Sequence, residues 1–122
     1  MDNAKLYKPQ KMKYFLVIDQ GTSSTRAILF DEKFVVVNVS QTEFKQFFPK
    51  DGWVEHDANE IFDTVVSCIK DVMEKSETTH KEIIAIGITN QRETCLLWDK
   101  KGTPLGKAIV WQDRRTAELC NK

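Results

Sequence analysis

Neither of the two familiar glycine-rich phosphate loops occurs in this sequence. Gly-x-x-x-x-Gly-Lys-Ser/Thr and Gly-x-Gly-x-x-Gly are both missing, and five glycines leave no other loop to do their work. Cysteine is scarce as well. Cys68, Cys95 and Cys120 are odd in number, widely spaced and without a Cys-x-x-Cys pair. That pattern argues against a disulfide framework and a zinc site, and it suits reduced thiols in the cytoplasm. His56 and His80 are the only histidines, and each is expected on the surface or in a turn rather than as a ligand. Lys+Arg 18 against Asp+Glu 18 gives a formal charge of +0, so the chain offers no electrostatic footprint for nucleic acid or an anionic membrane. No apolar run approaches the length of a membrane span, and there are no internal repeats.

What is present suits one compact core: 122 residues, 41% of them hydrophobic, are too few for two ordinary domains. Residues 1–13 read as a polar leader carrying Lys5, Lys8, Lys11 and Lys13, without the apolar centre of a signal peptide. The stretch that follows organises the rest. Phe15 to Ile18 and Ala27 to Phe30 are strand-length apolar runs flanking a short turn, and Gly21 supplies the freedom for a close backbone approach. Thr22, Ser23, Ser24 and Thr25 crowd hydroxyls there, with Arg26 as a positive charge nearby. Such a turn points its amide N–H groups inward as an anion nest, so the hairpin is suited to phosphate. Asp19 is the one acid beside it. A carboxylate next to phosphate is repulsive unless a cation lies between them, so its economical role is to position magnesium, directly or through its waters.

Asp31 to Lys33 is a polar turn, and Phe34 to Val39 is a β-branched run expected to pair as a third antiparallel strand. Gln41 to Asp57 is expected to be a long connection with a turn at Pro49-Lys-Asp-Gly52. Asp57 and Glu60 have the spacing of an N-cap and its capping-box partner. Beyond them Ile61, Phe62, Val65, Val66, Ile69, Val72 and Met73 recur at three and four, which predicts a helix with one core-facing stripe. Ile83 to Ile88 has the pattern of a central strand covered on both faces, with Gly87 marking a close approach. Six polar residues, Thr89-Asn-Gln-Arg-Glu-Thr94, then interrupt before Cys95 to Trp98 resumes as a strand. Ligands bind at strand ends of open α/β sheets, and Arg92 with Glu93 offers a donor fork and an acceptor; a surface ion pair or a solvated turn is the other reading. Asp99 to Gly102 is a hairpin turn, Ala108 to Trp111 a short strand, and Gln112 to Cys120 a helix cut off in progress.

Three antiparallel strands, a helix, then strands of the buried type, with a phosphate turn between the first two, make the ribonuclease H-like α/β plan. It is the plan of the nucleotide-binding domains of actin, hexokinase and the sugar kinases. Four segments, Asp19-Gln-Gly-Thr-Ser-Ser-Thr-Arg26, Pro49 to Asp57, Gly87 to Thr94 and Ala108 to Thr116, resemble the FGGY carbohydrate kinases, in family order, and specifically the branch that phosphorylates glycerol. Ser23 and Thr25 exchange Thr and Ser relative to the usual family pattern, and both keep a hydroxyl. The resemblance implies that residues 14–122 are the first part of the N-terminal domain of a two-domain kinase using ATP and Mg2+. It implies ATP phosphate contacts from Thr22, Ser23 and Ser24, a contact of Arg26 with the nucleotide product, glycerol binding by Arg92 and Glu93, and a substrate-facing Trp111. It also implies a homo-oligomer, and a general base, a glycerol-binding tyrosine and an adenosine pocket beyond Lys122, so that the 122-residue chain alone is expected to be inactive. Two other readings stand beside it. One is another sugar kinase of the family, which shares the phosphate turn but not Asn90 to Thr94 followed by the Trp111 segment. The other is a non-catalytic nucleotide- or polyol-binding module.

Overall fold

Residues 12–121 are described by the computed structural model, which leaves almost all of the expected leader outside the described residues. The meander forms: β1 (Tyr14–Gln20) pairs antiparallel with β2 (Ser24–Asp31), and β2 with β3 (Val36–Glu43). Strand alternation turns Tyr14, Leu16 and Ile18 of β1 and Thr25, Ala27 and Leu29 of β2 toward one face. Helix α1 (Ala58–Lys75) covers that face, and Cys68 and Val72 complete the buried cluster with Ile69, Met73 and Ile83 packed against it. Leu29 and Val72 are fully buried, each contributing roughly 1.5–3 kcal/mol relative to exposure.

The helix begins where its cap residue dictates. The Asp57 carboxylate accepts from the amides of Asn59 and Glu60 at 3.0 and 3.3 Å. The expected capping box is only half made, because the Glu60 carboxylate accepts from the Lys45 amide at 2.9 Å instead of turning back to Asp57. The inward stripe also differs from the expected one. Its buried members are Thr64, Cys68 and Val72, while Phe62 is 67% exposed. Thr64 is drawn inward by its hydroxyl contact with Thr25 at 2.9 Å, which rotates the helix about a position the apolar spacing had not marked.

A short 3-10 helix (His80–Glu82) leads into β6 (Ile83–Asn90), which runs parallel to β1, and the sheet order is β3-β2-β1-β6. Contrary to the pattern of its sequence, β6 is an edge strand among the described residues, and Ile88 is 72% exposed. A continuous apolar run reports what a strand is able to bury, not what lies beside it. Gly87 is not forced by crowding either: a Cβ there would meet Val17 Cγ2 at an ordinary 3.7 Å.

The expected long connection after β3 is partly structured. It contains β4 (Gln46–Phe47) and β5 (Glu55–His56), which join β7 (Ala108–Ile109) in a second sheet of order β4-β5-β7. The turn before β5 is as expected, with Gly52 at φ +71 and the Trp53 amide donating to the Lys50 carbonyl at 3.0 Å. Cys95 to Trp98 does not form a strand; it makes only isolated bridges, Cys95 to Ile109 and Trp98 to Pro104. The Asp99 turn holds, its carboxylate accepting from the amides of Lys101 and Thr103 at 2.8 and 2.9 Å. A short helix, α2 (Ala117–Cys120), ends the described residues. No helix among them is long and apolar enough to cross a membrane.

Candidate functional site

The turn between β1 and β2 is tight enough to require its glycine. The Gly21 amide donates to the Ser24 carbonyl at 2.9 Å, and a Cβ on Gly21 would stand 3.1 Å from that oxygen. That amide closes the turn and is not available to a ligand, so the expected nest has one donor fewer. The hydroxyls also divide. Thr22 lines a cavity and Ser23 is exposed, whereas Ser24 is buried, with its Oγ accepting from Gln41 Nε2 at 3.1 Å. Thr25 is fully buried beneath Thr64 and takes no part in the turn's outer surface. Strand alternation is the reason: two successive residues of a strand face opposite sides.

Asp19 and Arg26 are cross-strand partners in the hairpin, and the guanidinium lies 3.4 Å from the carboxylate while Nε donates to Gln41 Oε1 at 3.1 Å. Thus Asp19 already has a cation beside it. Both side chains are partly exposed, so the pair is weak and open to exchange. One accessible carboxylate beside a hydroxyl-rich turn is a donor set compatible with magnesium, which keeps several waters and takes one or two carboxylates together with substrate phosphates.

The polar interruption lies next to this turn. A cavity of about 360 Å³ is lined by Thr22, Asn90, Gln91, Arg92, Glu93 and Trp111. The Trp111 indole N–H donates to Thr22 Oγ1 at 3.0 Å, which joins segments far apart in sequence. Arg92 and Glu93 are exposed on the cavity, and neither is engaged by the other or by any described side chain, so the surface ion-pair reading is not what the structure contains. Glu93 has φ 62, in the left-handed region that a carboxylate-bearing residue seldom occupies. Strain of that sort concentrates at ligand sites. Thr94 Oγ1 donates to Gln91 Oε1 at 2.9 Å, so residues 91–94 form a closed turn with Arg92 and Glu93 at its tip.

Three contributors were not evident from the sequence. His56, expected on the surface, is fully buried between Gln46 and Gln91, with its ring edge on Phe44. Burial holds its imidazole below the ordinary histidine value, with Glu60 pulling weakly the other way. Asp113 and Arg115 are the other two, joined to Glu55. Arg115 donates to both carboxylate oxygens of Asp113 at 2.8 and 2.7 Å and to Glu55 at 2.8 Å, and its guanidinium stacks on Trp53 at 3.8 Å. Asp113 also accepts from the Val54 amide at 2.7 Å, and Arg115 holds its carboxyl far below the usual carboxylate range. This cluster anchors the segment that carries Trp111. A dipeptide Arg-Arg and a lone Asp in sequence give no signal of it, because the partners Trp53 and Glu55 are some sixty positions away.

Comparison with known proteins agrees with this geometry. The family model "FGGY family of carbohydrate kinases, N-terminal domain" matches residues 14–122. The glycerol kinase of Rhizobium meliloti is 61% identical over 110 residues, which is 89% of this chain and 22% of that protein. The glycerol kinase of Oceanobacillus iheyensis is 57% identical over 111 residues, 90% of this chain and 22% of the relative. The crystal structure of Plasmodium falciparum glycerol kinase with ADP superimposes with a TM-score of 0.82 at 39% identity, covering 90% of this chain and 22% of that one. The ligand-bound xylulose kinase from Lactobacillus acidophilus reaches the same TM-score, 0.82, at 26% identity, covering 89% of this chain and 22% of the other. The chain therefore spans about a fifth of the length of the relatives it matches. With a hydroxyl-rich turn, a closed polar turn and a tryptophan meeting in one cavity, and a family model matching from the first strand onward, the chain belongs to the FGGY family of carbohydrate kinases.

Proposed function

We propose that this chain supplies the phosphate-binding turn and part of the acceptor site of an enzyme that transfers the γ-phosphate of ATP to glycerol, giving sn-glycerol 3-phosphate and ADP. A terminal hydroxyl of glycerol attacks the γ-phosphorus, the bond to the β-phosphate oxygen breaks with its electron pair leaving on ADP, and the hydroxyl proton passes to a base. Catalysis of this kind rests on positioning and charge neutralisation. Thr22, Ser23 and Ser24 contact the phosphates and Arg26 the nucleotide product. Of these, Ser24 acts through its backbone or after Gln41 yields its hydroxyl, since that hydroxyl is already engaged. Magnesium, when bound, neutralises the phosphates, and Asp19 would hold it in place of Arg26. Arg92 donates to glycerol hydroxyls and Glu93 accepts from them, while the Trp111 ring covers the apolar edge of the polyol. The protein works in the cytoplasm as a homo-oligomer, with glycerol and ATP as its small-molecule partners.

The observation that carries this reading is the single cavity shared by Thr22, Arg92, Glu93 and Trp111. It puts a phosphate contact and a free donor–acceptor pair within reach of one small substrate. An unpaired carboxylate such as Glu93 also discriminates, because an analogue lacking the hydroxyl leaves it without the partner that glycerol supplies. Steady-state kinetics of Glu93→Gln in the intact protein test the assignment. Replacing a charge-assisted bond worth about 1.5–3 kcal/mol with a weaker neutral one lowers kcat/KM for glycerol roughly ten- to hundredfold, with the KM for ATP hardly moved. Unchanged glycerol kinetics in a well-folded variant would remove Glu93 from the acceptor site, and with it the argument for glycerol.

A further inference from the structure

A chain of hydrogen bonds links the phosphate turn to the turn that bears Arg92 and Glu93, and its directions are fixed by chemistry. Gln46 Nε2 donates to the Thr22 carbonyl at 2.9 Å, which turns Gln46 Oε1 toward His56. His56 Nε2 lies 2.6 Å from that oxygen and must therefore carry the proton, leaving Nδ1 as an acceptor for Gln91 Nε2 at 3.2 Å. Gln91 Oε1 then accepts from Thr94 Oγ1 at 2.9 Å, and Thr94 Oγ1 accepts from the Trp111 amide at 3.4 Å. The Trp111 indole N–H returns to Thr22 Oγ1 at 3.0 Å and closes the ring. The Gln91 amide is also tied to the Gln20 carbonyl at 2.8 Å, so the ring is fastened to the end of β1.

Resting on the kinase reading above, we propose that His56 is a positioning residue that couples the two halves of the site. As a neutral imidazole it sets the Thr22 carbonyl through Gln46, and it sets the Arg92–Glu93 tip through Gln91. His56 touches neither substrate; it stands behind both contacts, fully buried. It is also the one member of the ring whose two nitrogens must differ, one donating and one accepting. A side chain with two like ends cannot satisfy both glutamines at once. Buried polar groups that lose a partner reorient or draw in water, so loss of His56 is felt at both ends of the ring.

The test is steady-state kinetics of the intact protein with glycerol and MgATP varied in turn. His56→Phe keeps a planar ring against Phe44 and removes both hydrogen bonds. It raises the KM for both substrates roughly tenfold, a coupling of ordinary size. A purely structural histidine lowers the melting temperature and leaves both KM values of the folded fraction unchanged. That outcome, or a rise in only one KM, overturns the proposal. If His56→Phe does not fold, His56→Gln carries the test. Its amide nitrogen can stand near Nε2 and donate to Gln46, while no acceptor takes the place of Nδ1 beside Gln91, so the glycerol KM rises while the ATP KM stays near the wild-type value. An unmoved glycerol KM in that variant overturns the coupling. Nitrogen chemical shifts of the His56 ring test the arrangement without reference to turnover. Wild-type protein that fails to phosphorylate glycerol sinks the kinase reading, and a proton found on Nδ1 instead of Nε2 sinks the ring.

Discussion

The two sheets of this molecule are held together by different physics. The sheet of β1, β2, β3 and β6 is joined to α1 by apolar packing around Leu29, Cys68 and Val72, and its outlines follow from patterns a few residues long. The sheet of β4, β5 and β7 contributes only two residues per strand, with Ala108 and Val110 buried at or beside β7 and Phe44 buried against His56. Polar contacts do much of the holding: Arg115, Asp113 and Glu55, Lys107 reaching Asp57 at 3.1 Å, and the buried His56. The first sheet places the hydroxyl-rich turn between β1 and β2, and the second places Trp111 and braces the turn that bears Arg92 and Glu93. A site at their junction thus takes its position from a rigid apolar scaffold and its orientation from directional polar contacts. Removing one partner of such a buried contact leaves the other unsatisfied, so these contacts hold the orientation of the site as firmly as packing holds its position.

The contrast is open to breakage by substitution in the intact protein. The largest loss is expected at Leu29, which is fully buried: Leu29→Ala removes buried methyl groups and costs about 2–5 kcal/mol, read from urea unfolding at neutral pH. A cost under about 1 kcal/mol would mean that α1 does not hold the sheet. Next comes Asp113→Ala, which leaves Arg115, 18% exposed, with Glu55 alone. Its effect is smaller than that of Leu29→Ala and depends on pH. Because the Asp113 carboxyl titrates far below its ordinary value in the folded protein, its contribution is complete above the usual aspartate pKa of about 3.9 and is lost as the pH falls into the strongly acid range. The urea midpoints of wild type and variant therefore converge toward low pH. A gap that stays constant from neutral to strongly acid pH would show that Asp113 contributes packing and not charge. The smallest effect is expected for Lys107→Ala, a partly exposed ion pair whose loss costs about half a kcal/mol. High salt shrinks that difference further, and a loss as large as that of Asp113→Ala would make the second sheet more cooperative than its contacts suggest.

By itself the sequence determined the hairpin, the N-cap at Asp57, the helix, the parallel run from Ile83, and the pair Arg92 and Glu93 as candidates. All of these depend on neighbours in the chain: alternation of side chains along a strand, recurrence at three and four along a helix, a carboxylate capping the next turn. Tertiary structure decided the rest. Strand alternation set Ser24 and Thr25 on opposite faces, but that both are covered depended on α1 bringing Thr64 to Thr25 and on β3 bringing Gln41 to Ser24. The depth of His56 depended on β4 and the end of β6 arriving on either side of it, and no property of its own segment announces that. Trp111 became part of the cavity only because the Arg115 cluster fixes its segment beside the phosphate turn. Short-range order follows from local sterics and is written in spacing. Burial and the direction of a polar contact depend on partners tens of residues away, and spacing carries no record of them.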